Sequence, residues 1–351
     1  MPHIPLLSQF RPRSTLRAPE HHVLRARFPA VDAHAHLGRW LASWVGDGRE
    51  WTVRHVPTLL ATMEAHNIRA MVNLDGRWGD ELEVNLDRYD RAHPGRFATF
   101  CHVDWQDVDS PEALVGSLAA SAAAGAAGLK VWKDLGLEVR DSGGRLVLLD
   151  DQRLDPLWTA AGELNLPVWV HSADPVAFFD PVDERNEKLD ALIGRPDWSF
   201  ADPSFPAFRT LIDSLESVVA AHPGTCFVGV HGGCYPENLG WVSRMLDTYA
   251  NFHVDIAARI SELGRQPRAA RTLILRHPGR VLFGVDEIPV AGREYPYYFR
   301  FLETADEHFP YSPDDPPPLG RWAIHGLDLP DGVLRQVYSD NAARLVPRLA
   351  S

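Results

Sequence analysis

The chain predicts a (β/α)8 barrel of the TIM type, and three observations predict it. Eight short apolar or β-branched runs each precede a longer amphipathic run. The alternation continues from residue 30 almost to the C-terminus, as a parallel sheet with crossover helices requires. Polar, chemistry-bearing residues recur where the short runs end, which is where a barrel builds its site. A doubly wound open sheet reads from the same alternation, but eight strands favour closure.

The expected strands are 30–34, 70–74, 97–103, 128–132, 168–171, 227–231, 252–256 and 281–285. The expected helices are 56–67, 80–93, 111–124, 154–165, 208–222, 236–249, 267–277 and 332–346. His-Pro-Gly occurs at 93–95, 222–224 and 277–279, each time between a helix-like and a strand-like run. Proline and glycine stop a helix and turn the chain. These turns therefore belong to the bottom of a barrel, and His93, His222 and His277 read as cations at helix C-termini. Two connections are long, 172–207 after the fifth strand and 287–331 after the eighth. Both leave strand C-termini, where such loops form lids or substrate walls. Residues 1–28, with five arginines and no periodicity, are expected as an extended arm, and 29–351 as a single catalytic barrel.

Composition narrows the function. The net charge of −12 argues against nucleic acid or an anionic membrane as partner, since both need a basic footprint. Three cysteines, Cys101, Cys226 and Cys234, make no disulfide framework and fit a reducing cytoplasm. The first ten residues show no secretory pattern, and no stretch is apolar enough for a membrane span.

The chemistry lies at the strand ends. His34 and His36 close the run Ala30-Val31-Asp32-Ala33-His34-Ala35-His36-Leu37-Gly38. Residues two apart on a strand share a face, so both imidazoles leave on one side. Such a pair suits zinc or a similar cation, although two ordinary strand histidines read the same way. The fourth strand carries Lys130 before Trp132 and Lys133, the fifth ends in His171, the sixth in His231 and the eighth in Asp286. A barrel brings all of these to one mouth. Arg77, Trp132, Lys133, Arg259 and Arg293 follow strand ends and are candidate substrate contacts, with Trp78, Asp174 and Tyr295 beside them. Arginine suits carboxylates and tryptophan suits flat groups.

The His-Xaa-His pair, His171, His231 and Phe283-Gly284-Val285-Asp286 resemble the amidohydrolase superfamily. The similarity is closest to its amidohydrolase-related branch of aminocarboxymuconate semialdehyde decarboxylase-like enzymes. Tyr338-Ser339-Asp340-Asn341-Ala342-Ala343-Arg344-Leu345 resembles that branch's closing helix. The resemblance covers about residues 29–347 and implies one divalent metal held by His34, His36, His171 and Asp286. It implies Zn2+, with Mn2+ or Fe2+ as alternatives, and a homodimer. Three imidazoles and a carboxylate leave one position open for water, and the metal activates it. Asp286 and His231 are then the catalytic residues, Asp286 taking the water's proton and His231 polarising or protonating the substrate oxygen. In two-metal members a fourth-strand lysine is carboxylated and bridges the ions. Lys130 is expected unmodified here, hydrogen-bonded near the site or helping to bind an anionic group, with a second-metal role as the alternative. One departure stands out: Val285 replaces the serine or threonine frequent beside the aspartate, removing a hydroxyl. Glu287 points away from Asp286 by alternation and is expected to be structural. The implied activity is hydrolysis of a small, carboxylate-bearing molecule by the metal-activated water. The alternatives are nonoxidative decarboxylation at the same site and, more distantly, a silent barrel serving as a binding subunit.

Overall fold

A computed structural model describes residues 6, 9, 14–41, 50–286 and 291–350. The strands are β1 (Ala30–Ala35), β2 (Ile68–Asn73), β3 (Phe97–Thr99), β4 (Leu129–Val131), β5 (Val168–Val170), β6 (Phe227–Gly229), β7 (Phe252–Asp255) and β8 (Val281–Leu282). Between them lie α1 (Val56–His66), α2 (Gly79–Leu86), α3 (Pro111–Ala124), α4 (Asp155–Glu163), α5 (Phe208–Ala221), α6 (Leu239–Thr248) and α7 (Pro267–Arg276). After β8 come α8 (Tyr295–Glu303), α9 (Asp331–Arg335) and α10 (Asn341–Leu345).

All paired strands are parallel, in ladders β1-β2-β3 and β4-β5-β6-β7-β8. Backbone bonds join the two ladders into a ring. Cys101 bridges Leu129 in parallel between β3 and β4. Ala33 donates to the Phe283 carbonyl at 3.0 Å, and Asp286 donates to the His34 carbonyl at 3.0 Å, which brings β8 beside β1. The barrel is thus the expected one.

Local chemistry explains the helices. α1 and α3 begin with proline in the first turn, where its missing N–H costs nothing. They end at Asn67 and Gly125, both left-handed, as helix stops demand. α5 buries Phe208, Leu211, Ile212, Leu215, Val218 and Val219, a helical stripe facing the sheet.

Three expectations need correction. Apart from β1, which runs one residue past its expected end, the strands stop short, at Thr99 rather than 103 and at Leu282 rather than 285. The residues beyond turn into the mouth: His231 (φ 59°) and Asp286 (φ 64°) are left-handed, which a strand cannot accommodate. The helices expected at 80–93 and 332–346 are interrupted by π turns at Asp87–Arg91 and Gln336–Asp340. The connection 287–331 is not simply a loop, because α8 lies within it. Glu287 lies outside the described residues. The connection 172–207 carries only short helical turns, the longest being Leu189–Gly194. Residues 14–29 form no helix or strand. They are held by the His21 amide donating to Asp306 at 2.7 Å and by Arg27 pairing with Asp331 at 2.9 Å.

The interior is filled from below, which sets the floor of the site. Trp169 on β5 is fully buried and reaches across the barrel, its Nε1 donating to the Ala33 carbonyl at 3.0 Å. The Phe100 ring stands edge-on to it, centroids 4.8 Å apart. Gly128 makes room, since a Cβ there would stand 2.3 Å from Phe100. Two residues further along their strands, on the same face, come His171 above Trp169 and Lys130 above Gly128.

Two predictions concern the frame. Gly284 lets β8 close onto β1, and a Cβ there would lie 2.9 Å from the His34 Cβ. Gly284→Ala should destabilise the fold by about 1–3 kcal/mol, read as a lowered denaturant midpoint; an unchanged midpoint would show slack between the two strands. His253 on β7 sits 3.7 Å from the Cys226 thiol, and burial, then Arg280 and Arg344, push its pKa down to about 3. The unfolded chain therefore takes up this proton first. Stability from this group is present at neutral pH and is lost as pH falls from about 6.5, by about 3 kcal/mol near pH 4. Urea titrations at about pH 7 and about pH 4.5 should show a smaller acid loss in His253→Leu, whereas an identical loss would remove His253 from the account.

Candidate metal centre and active site

β1 carries His34 and His36 to the mouth, and Asp286 reaches them from the end of β8. One carboxylate oxygen, Oδ1, lies 3.0 Å from His36 Nε2 and 3.3 Å from His34 Nε2. The other, Oδ2, lies 3.7 Å from His231 Nε2. Ligand atoms of His34, His231 and Asp286 all lie within 4.8 Å of one another, the spacing of a metal-binding group. All three imidazoles are buried.

The opposite ring nitrogens are fixed by acceptors. His34 Nδ1 meets Asp255 at 2.8 Å, His36 Nδ1 meets Asp75 at 2.7 Å, and His231 Nδ1 meets the Ala257 carbonyl at 2.8 Å. A carbonyl only accepts, so His231 Nδ1 carries the proton and its Nε2 presents a lone pair. The Asp255 and Asp75 carboxylates likewise take the Nδ1 protons of His34 and His36, while the Nε2 atoms of both face Asp286 Oδ1. Metal-binding histidines are held by this kind of outer partner. Asp255 also accepts from the His231 amide at 2.7 Å and the Ala257 amide at 3.1 Å.

His171 sits differently. Its ring centroid is 4.5 Å from that of His231, but its Nε2 faces Asp174 at 3.2 Å. Asp174 is also paired with Lys133. With Nε2 engaged, Nδ1 is the atom left for a ligand.

These contacts set the charges. At His36 burial opposes the proton, but Asp75 and Asp286 outweigh it and lift the pKa to about 9. Burial likewise opposes ionisation of Asp286, yet His34 and His36 hold it well below the ordinary carboxylate range. Burial lowers His171 to about 4 despite Asp174. Burial, then Arg259 and His171, keep His231 far below an ordinary histidine, so it is neutral at pH 7. Lone pairs and a carboxylate converging on one point repel unless positive charge lies among them. The raised pKa of His36 records a proton in that role, and a divalent cation fits the same donors.

Of the other sequence-predicted residues, Lys130 is buried and its Nζ has no hydrogen-bond partner among the described residues. Burial brings it down to about 8, against the pull of Asp286 and Asp255. Trp132 packs between His36 and His171, at centroid distances of 5.3 and 5.8 Å. Arg259 is buried, 4.0 Å from Asp174, and donates to the Ala258 carbonyl at 2.8 Å. Arg77 packs on Trp78, beside the mouth. Arg293 is exposed and paired with Asp314 at 2.9 Å, with nothing tying it to the histidines among the described residues. Tyr295, expected near substrate, is a core residue instead: it is buried and its hydroxyl donates to Asp32 at 2.7 Å.

Sequence reasoning missed Asp75 and Asp255. The signal was there, since each lies at or just past the end of a strand, where His171 and His231 were noticed.

Residues 31–348 match the Amidohydrolase family model. No curated protein matches the chain. Similar solved structures include a dihydroxybenzoic acid decarboxylase from Polaromonas sp. JS666 with bound manganese and the inhibitor 2-nitroresorcinol. It is 14% identical, with a TM-score of 0.60 over 91% of this chain and 97% of that one. A 2,6-dihydroxybenzoate decarboxylase from Rhizobium is 17% identical, with a TM-score of 0.58 over 91% and 99%. A 5-carboxyvanillate decarboxylase from Sphingomonas paucimobilis is 14% identical, with a TM-score of 0.53 over 92% and 99%. These likenesses establish the barrel, and the family match spans most of the chain, which belongs to the amidohydrolase family of enzymes.

Proposed function

We propose that the chain is a metal-dependent hydrolase acting on a small, carboxylate-bearing substrate, with His34, His36, His171 and Asp286 holding one divalent cation and His231 and Asp286 moving protons. The observation that carries this reading is the divided carboxylate of Asp286, with Oδ1 toward the His34–His36 pair and Oδ2 toward His231. When bound, the cation would supply charge that polarises a substrate oxygen and acidifies a water.

The chain's own residues do the rest. Asp286 Oδ2 and His231 Nε2 are both acceptors and stand 3.7 Å apart, so neither can donate to the other. A water placed between them is held by both and can lose a proton to either. The Ala257 carbonyl keeps the His231 lone pair directed at that spot. Arg259, kept charged by Glu262 and Asp174 against the cost of its burial, is a ready partner for a substrate carboxylate. Zinc, a homodimer and a cytoplasmic setting complete the proposal. Three free cysteines support the reducing setting, and the manganese in the Polaromonas structure keeps that ion as an alternative.

Nonoxidative decarboxylation is the second reading. A tryptophan-lined cavity that shares Lys130 and Trp132 with the histidine cluster favours it, because it suits an aromatic acid. The similar structures named above are decarboxylases of such acids by name.

Asp286→Ala should abolish turnover and lower bound metal at least about tenfold. His231→Asn should abolish turnover with metal retained, measured by elemental analysis of the same preparations. Metal loss in that second variant would make His231 a ligand and overturn its assigned role. Turnover in 18O-labelled water with a panel of lactones, amides and aromatic acids separates the reactions. Label in the product acid supports hydrolysis, while released carbon dioxide with no label incorporated in the organic product would replace it by decarboxylation.

A further inference from the structure

A cleft of about 470 Å3 opens at the end of the barrel away from the metal centre. Pro29 just before β1, Arg69 at the start of β2, and Pro94 and Arg96 just before β3 line it, with Glu64 and Asn67 from the end of α1. His34 lies at the opposite end of β1. The backbone around the cleft is fixed. The Arg96 amide donates to the His93 carbonyl at 3.0 Å, and the Arg96 carbonyl accepts from Met71 on β2 at 2.9 Å. Gly95 takes the positive φ of 77° in this turn, which a side chain would resist. On the α1 side, the Asn67 side chain donates to the Ala26 carbonyl at 2.9 Å, and the Asn67 carbonyl accepts from Ala30 at 2.9 Å.

Two arginines in this cleft are incompletely used. Nη1 of Arg96 pairs at 2.8 Å with Glu64, a mostly exposed carboxylate. Nε and Nη2 of Arg96 are buried and have no hydrogen-bond partner among the described residues. Those two nitrogens form the guanidinium edge whose parallel N–H bonds match an acceptor with two oxygens. Elsewhere in the chain a carboxylate fills that edge. Asp151 does so for Arg153 at 2.9 and 2.7 Å, and Asp247 for Arg276 at 3.1 and 2.8 Å. Arg69 bonds through its Nε to Ser339 at 3.1 Å and forms no ion pair among the described residues. Burial makes it less basic, against the pull of Asp340. Arg25 stands beside the cleft as a third cation, donating to the Glu64 carbonyl and, at 3.2 Å, to Asn67 Oδ1.

The lining thus carries two cations and one acid, in a chain whose net charge is −12. Residues at this end of a barrel ordinarily serve stability. A buried guanidinium edge without an acceptor does the reverse, because its desolvation is uncompensated. Buried donors are normally satisfied, so this edge asks for an acceptor from outside the chain.

We infer that the cleft is a second binding site, for a small molecule presenting an anionic group with two free oxygens, a phosphate ester or a carboxylate, taken by the Arg96 edge and by Arg69. The site is separate from the metal centre and independent of the reaction proposed there. Its volume falls within the range of small-ligand pockets, about 300–1,000 Å3, which suits a compact molecule rather than a polymer.

Isothermal titration calorimetry of the purified, metal-loaded protein tests this with inorganic phosphate and with succinate, at an ionic strength held constant by sodium chloride. Asp286→Ala is titrated beside it, to remove binding at the metal. One saturable site per chain is expected to remain in that variant. Tighter binding of phosphate points to a phosphate ester, and tighter binding of succinate to a carboxylate. Arg96→Met should weaken the site at least about tenfold with metal content unchanged. Arg96→Lys should not restore it, because an ammonium lacks the paired edge. Arg69→Met, at a partly exposed position, should weaken it as well, and serves where Arg96→Met does not fold. No saturable site in Asp286→Ala, affinities unchanged in the Arg96→Met and Arg69→Met variants, or full affinity in Arg96→Lys would overturn the inference.

Discussion

A carboxylate sealed from water must find donors, and Asp255 is such a group. Its side chain has no exposed surface, and its oxygens take the His34 ring, the His231 amide and the Ala257 amide. Those donors come from β1 and from the turns after β6 and β7, so one buried charge ties three parts of the mouth together. Losing any donor would leave part of that charge unpaired in a low dielectric, a large cost against ordinary fold stability. Asp75 does the same for His36, and Asp174 for His171. The ring orientations at the centre are thus set by buried acids around it.

The cost of this arrangement appears in the backbone. His231 and Asp286 both leave their strands in left-handed conformations, which strands cannot use and most side chains avoid. The surrounding bonds hold them there. Asp286 donates its amide to the His34 carbonyl at 3.0 Å, and Asp32 receives the Val285 amide at 3.3 Å and the Tyr295 hydroxyl at 2.7 Å. The valine at 285 removes the hydroxyl frequent beside this aspartate in the resembled branch, yet the aspartate still reaches both paired histidines. Position is maintained here by main-chain bonds, which do not depend on the side chain at 285.

How much of this was legible in the sequence follows from what determines each feature. The barrel was legible because burial on both faces writes apolar runs such as Val168–Val170, and because proline and glycine mark where helices such as α1 and α3 begin and end. The convergence of His34, His36, His231 and Asp286 was legible because strand alternation and barrel closure fix where strand ends point. The strand lengths were not, since nothing in Val281–Val285 announces that the chain bends at its end. Tyr295 was misplaced because an aromatic after a strand end fits a substrate wall and a core equally well; the buried Asp32 hydroxyl partner decides it. The pairing of Arg293 with Asp314 was not legible either, as the two lie 21 positions apart and only folding brings them together. Asp75 and Asp255 were overlooked because a single acid carries no spacing pattern. Their importance arises from the imidazoles that the fold sets against them.

X-ray absorption at the metal edge of the purified protein reads the ligand shell itself. Stoichiometric divalent metal is expected, its inner shell holding only nitrogen and oxygen, at about 2.0–2.2 Å for zinc, with the scattering of three imidazole rings. Sulfur in that shell, an absence of imidazole scattering, or a protein that holds no metal would contradict a centre built from His34, His36, His171 and Asp286.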